Sequence, residues 1–569
     1  MTTESNVHSP RSYFALSCLR GGVLEIQAKR DSLISGVLFA IGFAGVTVSA
    51  LAIPRGGIGW DSGIDTFAAQ NVRQVDSDGS LIEAYEQIFS TAEFYGVLVQ
   101  WTADLIYQVL GNLVPQASDY AASFQLQATV TLALSVLSAI VAGFAVSVLF
   151  SSRTAGAFTF AAITTLPYLS GMSAINLKDA PVAAGLTTLS AGAALLWRFT
   201  TWKYLLVAAG LIAIGTFVAL GVRIGAWVLV GAVVTINIIA MAVWLNLTSE
   251  HRIFVRSTTA TVVGVGFGVA AVWLLNPIAR IDLPRWAWDA FLVSRSYPWI
   301  GDVRTMGQDL PSTDLPWWYL PAWFSAQMPV LFLGFALLGI VIWTWQVLRD
   351  FTDTRLITSD EDSPRAVALT PFAVQAVVLP AGMVVIGATL YDGIRHITFA
   401  LPALIVLMAP LIVRITNVGL ASERPSVGIA WLVATALIAV PATNLLASIR
   451  WFPYMYAHVN VPTAFLDSDR DWEYDYWGTS VVEGAQRLRE LGVDKVVVLP
   501  EIDPRGTAEV ARITRAEELT SEEPYGLYVF RRYDTSIPEF GCERVFEIKR
   551  AGVILGEGAI CDGNVRPVP

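Results

Sequence analysis

The sequence predicts a polytopic α-helical membrane protein of about eleven transmembrane helices, followed by a small C-terminal extracytoplasmic α/β domain. Three observations predict it. The chain of 569 residues is 54% hydrophobic and 15% charged, with a mean hydropathy of +0.56, against roughly 45–50% apolar and 25% charged in soluble domains. Windows of about 20 apolar residues, enough to cross roughly 30 Å of hydrocarbon, recur up to residue 447. Beyond that point the composition turns polar and charged.

The expected spans are 33–54, 127–150, 155–175, 180–197, 204–222, 225–246, 259–276, 327–346, 367–390, 397–414 and 428–447. The first is not read as a cleavable signal, since some thirty residues precede it and no clear small-x-small site follows. Residues 1–32 carry Arg11, Arg20, Lys29 and Arg30, so the positive-inside rule keeps this leader in the cytosol. Counting alternately from there, Arg153, Arg198 with Lys203, Arg252 with Arg256, Arg349 to Arg365, and Arg414 with Arg424 all fall in cytosolic loops. Loops 55–126, 176–180, around Arg223, 277–326 and 391–396 then lie on the far side, with residues 448–569.

These far-side pieces are not plain connectors. Residues 81–112 have apolar and aromatic positions at helical spacing, as in helices lying along the interface. The 277–326 loop is rich in Trp and Pro, as expected at headgroup depth. The tail shows a helix-like 480–491 and strand-like runs at 496–500 and 526–533. Cys542 and Cys561 are placed to form a bridge if the tail is outside the cytosol.

The net charge of −10 argues against a nucleic-acid partner. With four histidines and no CxxC or HExxH, no metal site is legible from sequence-local ligands. The chemistry-bearing residues are the few ionisable groups beside the spans, where charge is costly and function is the default reading. Asp61 and Asp65, in Gly-Trp-Asp-Ser-Gly-Ile-Asp at 59–65, offer a general base or a cation site; the plainer reading makes Asp61 a helix cap. Lys178 and Asp179 sit in a short turn, the lysine suited to phosphate, though a topology-setting turn explains the pair equally well. Tyr391, Asp392, Arg395 and His396 form a third cluster, in which Arg395 and His396 offer donors to phosphate oxygens and Asp392 orients them.

All three clusters fall on the side opposite the basic loops, which describes an outward cavity with carboxylates in one part and cations in another. That arrangement fits a hydroxyl attacking a sugar whose leaving group is a lipid phosphate. A transporter or lipid-linked-sugar flippase is the alternative, but it would place charges at mid-membrane and often show repeated halves. A membrane-anchored assembly factor would need none of the three clusters.

Five stretches resemble the GT-C superfamily of polytopic glycosyltransferases, in particular the bacterial branch of protein O-mannosyltransferases and aminoarabinose transferases. They are Asp61 followed by Phe94-Tyr95-Gly96; Gly171 to Pro181, similar to Gly-x-x-x-x-Asn-x-Lys-Asp-x-Pro; Leu315-Pro316-Trp317-Trp318-Tyr319-Leu320-Pro321-Ala322-Trp323; Tyr391 to His396 with Phe399 and Pro402; and Phe452-Pro453-Tyr454 with Asp475 to Ser480. The resemblance implies an inverting transferase in a bacterial cell membrane. It would move mannose or a pentose such as arabinose from a polyprenyl-phosphate donor to an extracytoplasmic hydroxyl on protein, lipid or cell-wall glycan.

In that scheme residues 33–447 are the catalytic membrane domain and 448–569 the extracytoplasmic domain. Asp61 is the base and Asp179 a second acidic site residue; Lys178, Arg395 and His396 face the donor phosphate. Asp65, Tyr95, Tyr319, Tyr391 and Asp392 are substrate-side candidates. Relatives often carry Asp-Glu or Asp-x-Pro-x-His in the first loop, where this chain has Asp61 to Asp65, so the use of Mg²⁺ or Mn²⁺ stays open.

Overall fold

The structure is a computed structural model that describes residues 10–59, 61–77, 96–110, 120–198, 201–248, 251–295, 297, 299–352, 365–420, 427–467, 471–500, 510–519, 523–530, 537 and 541–562. It is mostly helical, with a small sheet near the C-terminus. In chain order the membrane part runs α1 (Pro10–Ala52), α2 (Ser62–Ser77), α3 (Leu98–Leu110), α4 (Tyr120–Phe150), α5 (Arg153–Thr165), α6 (Pro167–Ile175), α7 (Asp179–Leu195), α8 (Trp202–Val222), α9 (Trp227–Thr248), α10 (His251–Leu275) and α11 (Pro277–Arg295). After the hairpin β1 (Asp302–Thr305) and β2 (Gln308–Pro311) come α12 (Tyr319–Gln327), α13 (Val330–Thr352), α14 (Thr370–Ala373), α15 (Leu379–Val385), α16 (Ala400–Leu407), α17 (Ala409–Leu420) and α18 (Val427–Trp451).

Among the described residues nine helices are long and apolar enough to cross a membrane, and a tenth span results if α5 and α6 count as one. That pair bends by 60° at Leu166, whose extended backbone precedes Pro167. Proline lacks the N–H that would continue α5, yet its fixed φ starts α6. The expected span 180–197 is α7, whose 17 residues cover only about 26 Å. All of them are buried, so this short helix is central rather than lipid-facing. Its small residues allow close packing: a side chain on Gly185 would meet the backbone of Ala219, and one on Gly192 the carbonyl of Ala208, both on α8.

On the far side the 277–326 stretch is more regular than a Trp- and Pro-rich loop suggests. It holds α11, kinked at Asp282 two residues before Pro284, then the antiparallel hairpin and α12. Trp323, expected at headgroup depth, is buried with its indole N–H donating to Thr305, whereas Trp317 stays exposed.

The tail contributes α19 (Val461–Leu466), α20 (Val481–Glu490) and a four-stranded sheet of order β3 (Val496–Leu499), β4 (Tyr525–Phe530), β6 (Val553–Cys561), β5 (Glu543–Arg550). β3 and β4 are parallel and the other pairings antiparallel. Cys542 and Cys561 are bonded, tying the start of β5 to the end of β6. Leu488 of α20 covers Gly526 of β4, so the helix packs on the sheet. The Trp472–Trp477 segment, aromatics interleaved with acids, packs inward: Tyr474, Asp475, Tyr476 and Trp477 are all buried. Asp475 accepts from the Tyr456 and Ser480 hydroxyls and from the backbone N–H groups of Thr479 and Ser480. Its carboxylate is therefore spent on pinning this segment to the rim after α18.

Candidate active site

The site forms where three short outer turns meet, and in each turn local chemistry frees the side chain that matters. Asp61 stands at the entrance to α2, its carbonyl accepting from the Asp65 N–H. Its side chain caps nothing. Oδ2 accepts from Lys178 Nζ at 3.2 Å and from Arg395 NH2 at 2.8 Å, and Oδ1 takes no hydrogen bond from a described residue. The side chain is 27% exposed, against 2–7% for Asp65, Asp179 and Asp392.

At the second turn Asn176 does the capping. Its Oδ1 accepts from the N–H groups of Lys178 and Asp179, and its Nδ2 donates to Asp179 Oδ2. Asp179, though first in α7, can thus turn its carboxylate to Arg395 Nε (3.0 Å) and Arg223 NH1 (3.1 Å). Lys178 Nζ reaches Asp61 and, at 3.0 Å, Asp65.

The third turn puts Asp392 and Gly393 both at positive φ, +60° and +65°. A short polar residue tolerates this and glycine adopts it freely. The turn lets Arg395 fold back so that NH1 meets Asp392 at 2.7 Å while NH2 and Nε reach Asp61 and Asp179. The guanidinium also lies over Tyr391 and Trp477, 5.4 and 4.9 Å from their ring centroids. Tyr319 is buried and accepts from the Gly393 N–H, so it braces the turn. Tyr391 stacks on Trp299 and takes the His396 ring edge-on.

A cavity of about 940 Å³ opens beside this network. Asp179, Arg223, Arg295, Tyr391, Arg395 and His396 line its polar end. Val182, Leu229, Phe291, Met383, Ile386 and Phe399 supply apolar walls. Three arginines face one carboxylate there, so the polar end is cationic. Arg295, at the end of α11, forms no ion pair with a described residue. Among the described residues, none hydrogen-bonds the buried Nδ1 of His396. Burial, reinforced by the Arg395 charge, pushes its imidazole down to about 3, so it is a neutral donor or acceptor at physiological pH.

Burial raises the Asp61 carboxyl, but Lys178 and Arg395 together outweigh it and hold the group well below the usual carboxylate range. For Asp65 burial wins over Lys178, with Asp61 adding to it, and the carboxyl is pushed up to about 6. Among the described residues no set of His, Cys, Asp and Glu is arranged to hold a metal ion. The carboxylates of this cluster are turned onto Lys178 and the arginines.

The structure thus joins Asp61, Asp65, Lys178, Asp179, Asp392 and Arg395 in one network, with Tyr319, Tyr391 and His396 packed around it. Tyr95 lies outside the described residues. Lys178 does not line the cavity; it is held by the carboxylates. Arg223, Arg295, Asn176 and Trp477 were not among the site residues expected from the sequence. Arg223 carried a signal, being a lone charge between two apolar spans on the side that positive-inside loops avoid.

No family model matches the sequence, and no curated protein matches it. Solved structures do match. ArnT from Cupriavidus metallidurans bound to undecaprenyl phosphate is 13% identical over 92% of this chain and 98% of that one, with TM-score 0.45. The apo state of the same protein gives 13%, 92%, 97% and 0.44. The oligosaccharyltransferase of Archaeoglobus fulgidus is 10% identical over 83% of this chain and 60% of that one, at 0.44. At such TM-scores the likeness carries no argument about chemistry, which rests on the site itself.

Proposed function

We propose that the protein is an integral-membrane inverting glycosyltransferase that moves a sugar, mannose or a pentose such as arabinose, from a polyprenyl phosphate to a hydroxyl of an extracytoplasmic protein, lipid or glycan. The observation that carries this reading is Asp61: one oxygen is bound by Lys178 and Arg395, the other takes no hydrogen bond from a described residue, and Arg395 continues into a cavity with a cationic end and apolar walls. The arginines suit a phosphate and the walls the first isoprene units of its lipid.

In the reaction Asp61 takes the proton of the acceptor hydroxyl as its oxygen bonds to the anomeric carbon. The bond from that carbon to the phosphate oxygen breaks on the opposite face, which inverts the configuration. The leaving lipid phosphate gains a negative charge, offset by Arg395, Arg223 and Arg295. The ion network makes Asp61 a poor base until a phosphate shares its cations; a donor that draws off Arg395 raises the basicity of the carboxylate beside it.

Asp61→Asn tests this. General-base catalysis contributes about 10²–10⁴-fold, so the purified variant should lose at least a hundredfold in transfer while still binding undecaprenyl phosphate. A variant with wild-type turnover would overturn the mechanism.

A further inference from the structure

A second cleft, with about 950 Å³ of empty space open to solvent, shares no lining residue with the first and takes none of the network side chains, but it is lined by their chain neighbours. Gly59 and Ser62, which line it, flank Asp61, and Leu177 precedes Lys178. The first cavity instead takes Asp179 and Arg395. Asp61 itself lines neither cavity: its chain neighbours line the second, and its partner Arg395 lines the first. The far wall of the second cavity comes from the tail, with Val482, Glu483 and Gln486 of α20, and from Val510.

The lining defines what it suits. Both Glu483 oxygens are occupied, by the Tyr454 hydroxyl and by Arg487 and Arg550, so this carboxylate calls for no cationic ligand. Gln125 and Gln486 are exposed carboxamides; Gln486 Nε2 donates one hydrogen to Glu490 at 3.1 Å, which leaves its second N–H and its Oε1 for a neighbouring pair of hydroxyls. Phe124 and Ile58 give apolar surface for the face of a sugar ring. Arg55 has no carboxylate partner among the described residues, which accommodates an acidic substituent. The lining contains no strand, hence no edge on which a peptide backbone could pair.

We infer that this second cavity is a saccharide-binding acceptor site whose selectivity is set by α20 of the outer domain. The inference rests on the donor reading of the first cavity only for the word acceptor; binding of a saccharide is tested separately. The full chain in lipid nanodiscs is presented with α-mannotriose, α-arabinotriose and a blocked Ser/Thr-rich hexapeptide, with saturation-transfer NMR as the readout. Undecaprenyl phosphate binding is followed in parallel by native mass spectrometry.

At least one trisaccharide should bind, and Gln486→Trp and Gln125→Trp, both at exposed positions, should each weaken it at least tenfold while undecaprenyl phosphate binding stays within twofold. Trisaccharide binding unchanged in both variants, binding of the peptide alone, or no binding by any of the three overturns the inference. Should a trisaccharide bind through Gln486 while undecaprenyl phosphate fails to bind the wild type, the saccharide site stands and the donor reading falls.

Discussion

Arg395 is the residue on which the site is built, and for that reason it is a poor probe of it. Its three nitrogen positions satisfy Asp61, Asp179 and Asp392, all largely buried. Arg395→Ala would take this charge from all three at once, leaving Asp61 to Lys178 and Asp179 to Arg223, and breaking a buried ion pair costs about 3–5 kcal/mol in stability. Arg295 is the cleaner test because it lines the same cavity, is exposed, and has no ion-pair partner among the described residues. A hydrogen bond to a charged group contributes about 1.5–3 kcal/mol, so Arg295→Ala should weaken undecaprenyl phosphate binding roughly tenfold or more with an unchanged melting temperature. Equal affinity would remove this arginine from the phosphate site. Asp65 gives a pH signature. Its carboxyl titrates near 3.8 unfolded and near 6 in the fold, so between those values the folded state holds the proton more tightly. Stability is greatest below that window and falls as pH rises through 6, by up to about 3 kcal/mol. The melting temperature in detergent should therefore drop between pH 5 and pH 7, and Asp65→Asn should lack the drop.

Among the elements, the motif glycines have a steric reason. A Cβ on Gly171 would stand 2.1 Å from the Tyr456 backbone nitrogen, where α6 crosses the segment after α18. One on Gly96 would stand 1.8 Å from the Gly221 carbonyl at the end of α8, and the Gly96 N–H donates to Val222 beside it. Backbone cannot yield as a side-chain tip can. Gly171→Ala should cost about 1–3 kcal/mol and lower turnover by displacing the Asn176–Asp179 turn. A variant matching wild type in both melting temperature and turnover would contradict this packing. The helices were legible because a lipid-facing stretch must be almost free of charge, and the expected and observed ends agree to within six residues. The α20–β3–β4 run was legible from its periodicity. The β5–β6 hairpin was not: its two-residue turn, Ala551-Gly552 at φ +50° and +91°, lacks the usual Asn-Gly or Asp-Gly. The glycines in Val553–Cys561 blur the alternation that marks a strand.

At the scale of the whole molecule, the site was legible to the extent that charge beside lipid is rare. Asp61, Lys178, Asp179 and Arg395 stood out for that reason, but spacing alone does not say which turns converge, so Arg223, Arg295 and the tail's Trp477 were not assigned to the site. The same charge asymmetry fixes the orientation we propose. Arg198 donates to the carbonyls of Val148 and Leu149 at one end of α4. Phe124, near the other end, lines the second cavity, 25 residues or roughly 38 Å away. Arg349 and Arg414 meet over Trp345, in the loops counted with Arg198 as cytosolic. Lys and Arg in short loops stay in the cytosol, so the orientation we propose puts the network, both cavities and the disulfide-bonded sheet outside, where a lipid-linked donor would be used. Single cysteines report this directly. In intact cells a membrane-impermeant maleimide should label Gln486→Cys on α20, whereas Thr201→Cys, three residues beyond Arg198, should react only after lysis. The reverse pattern would turn the molecule over and place the Asp61 network at the cytosolic face.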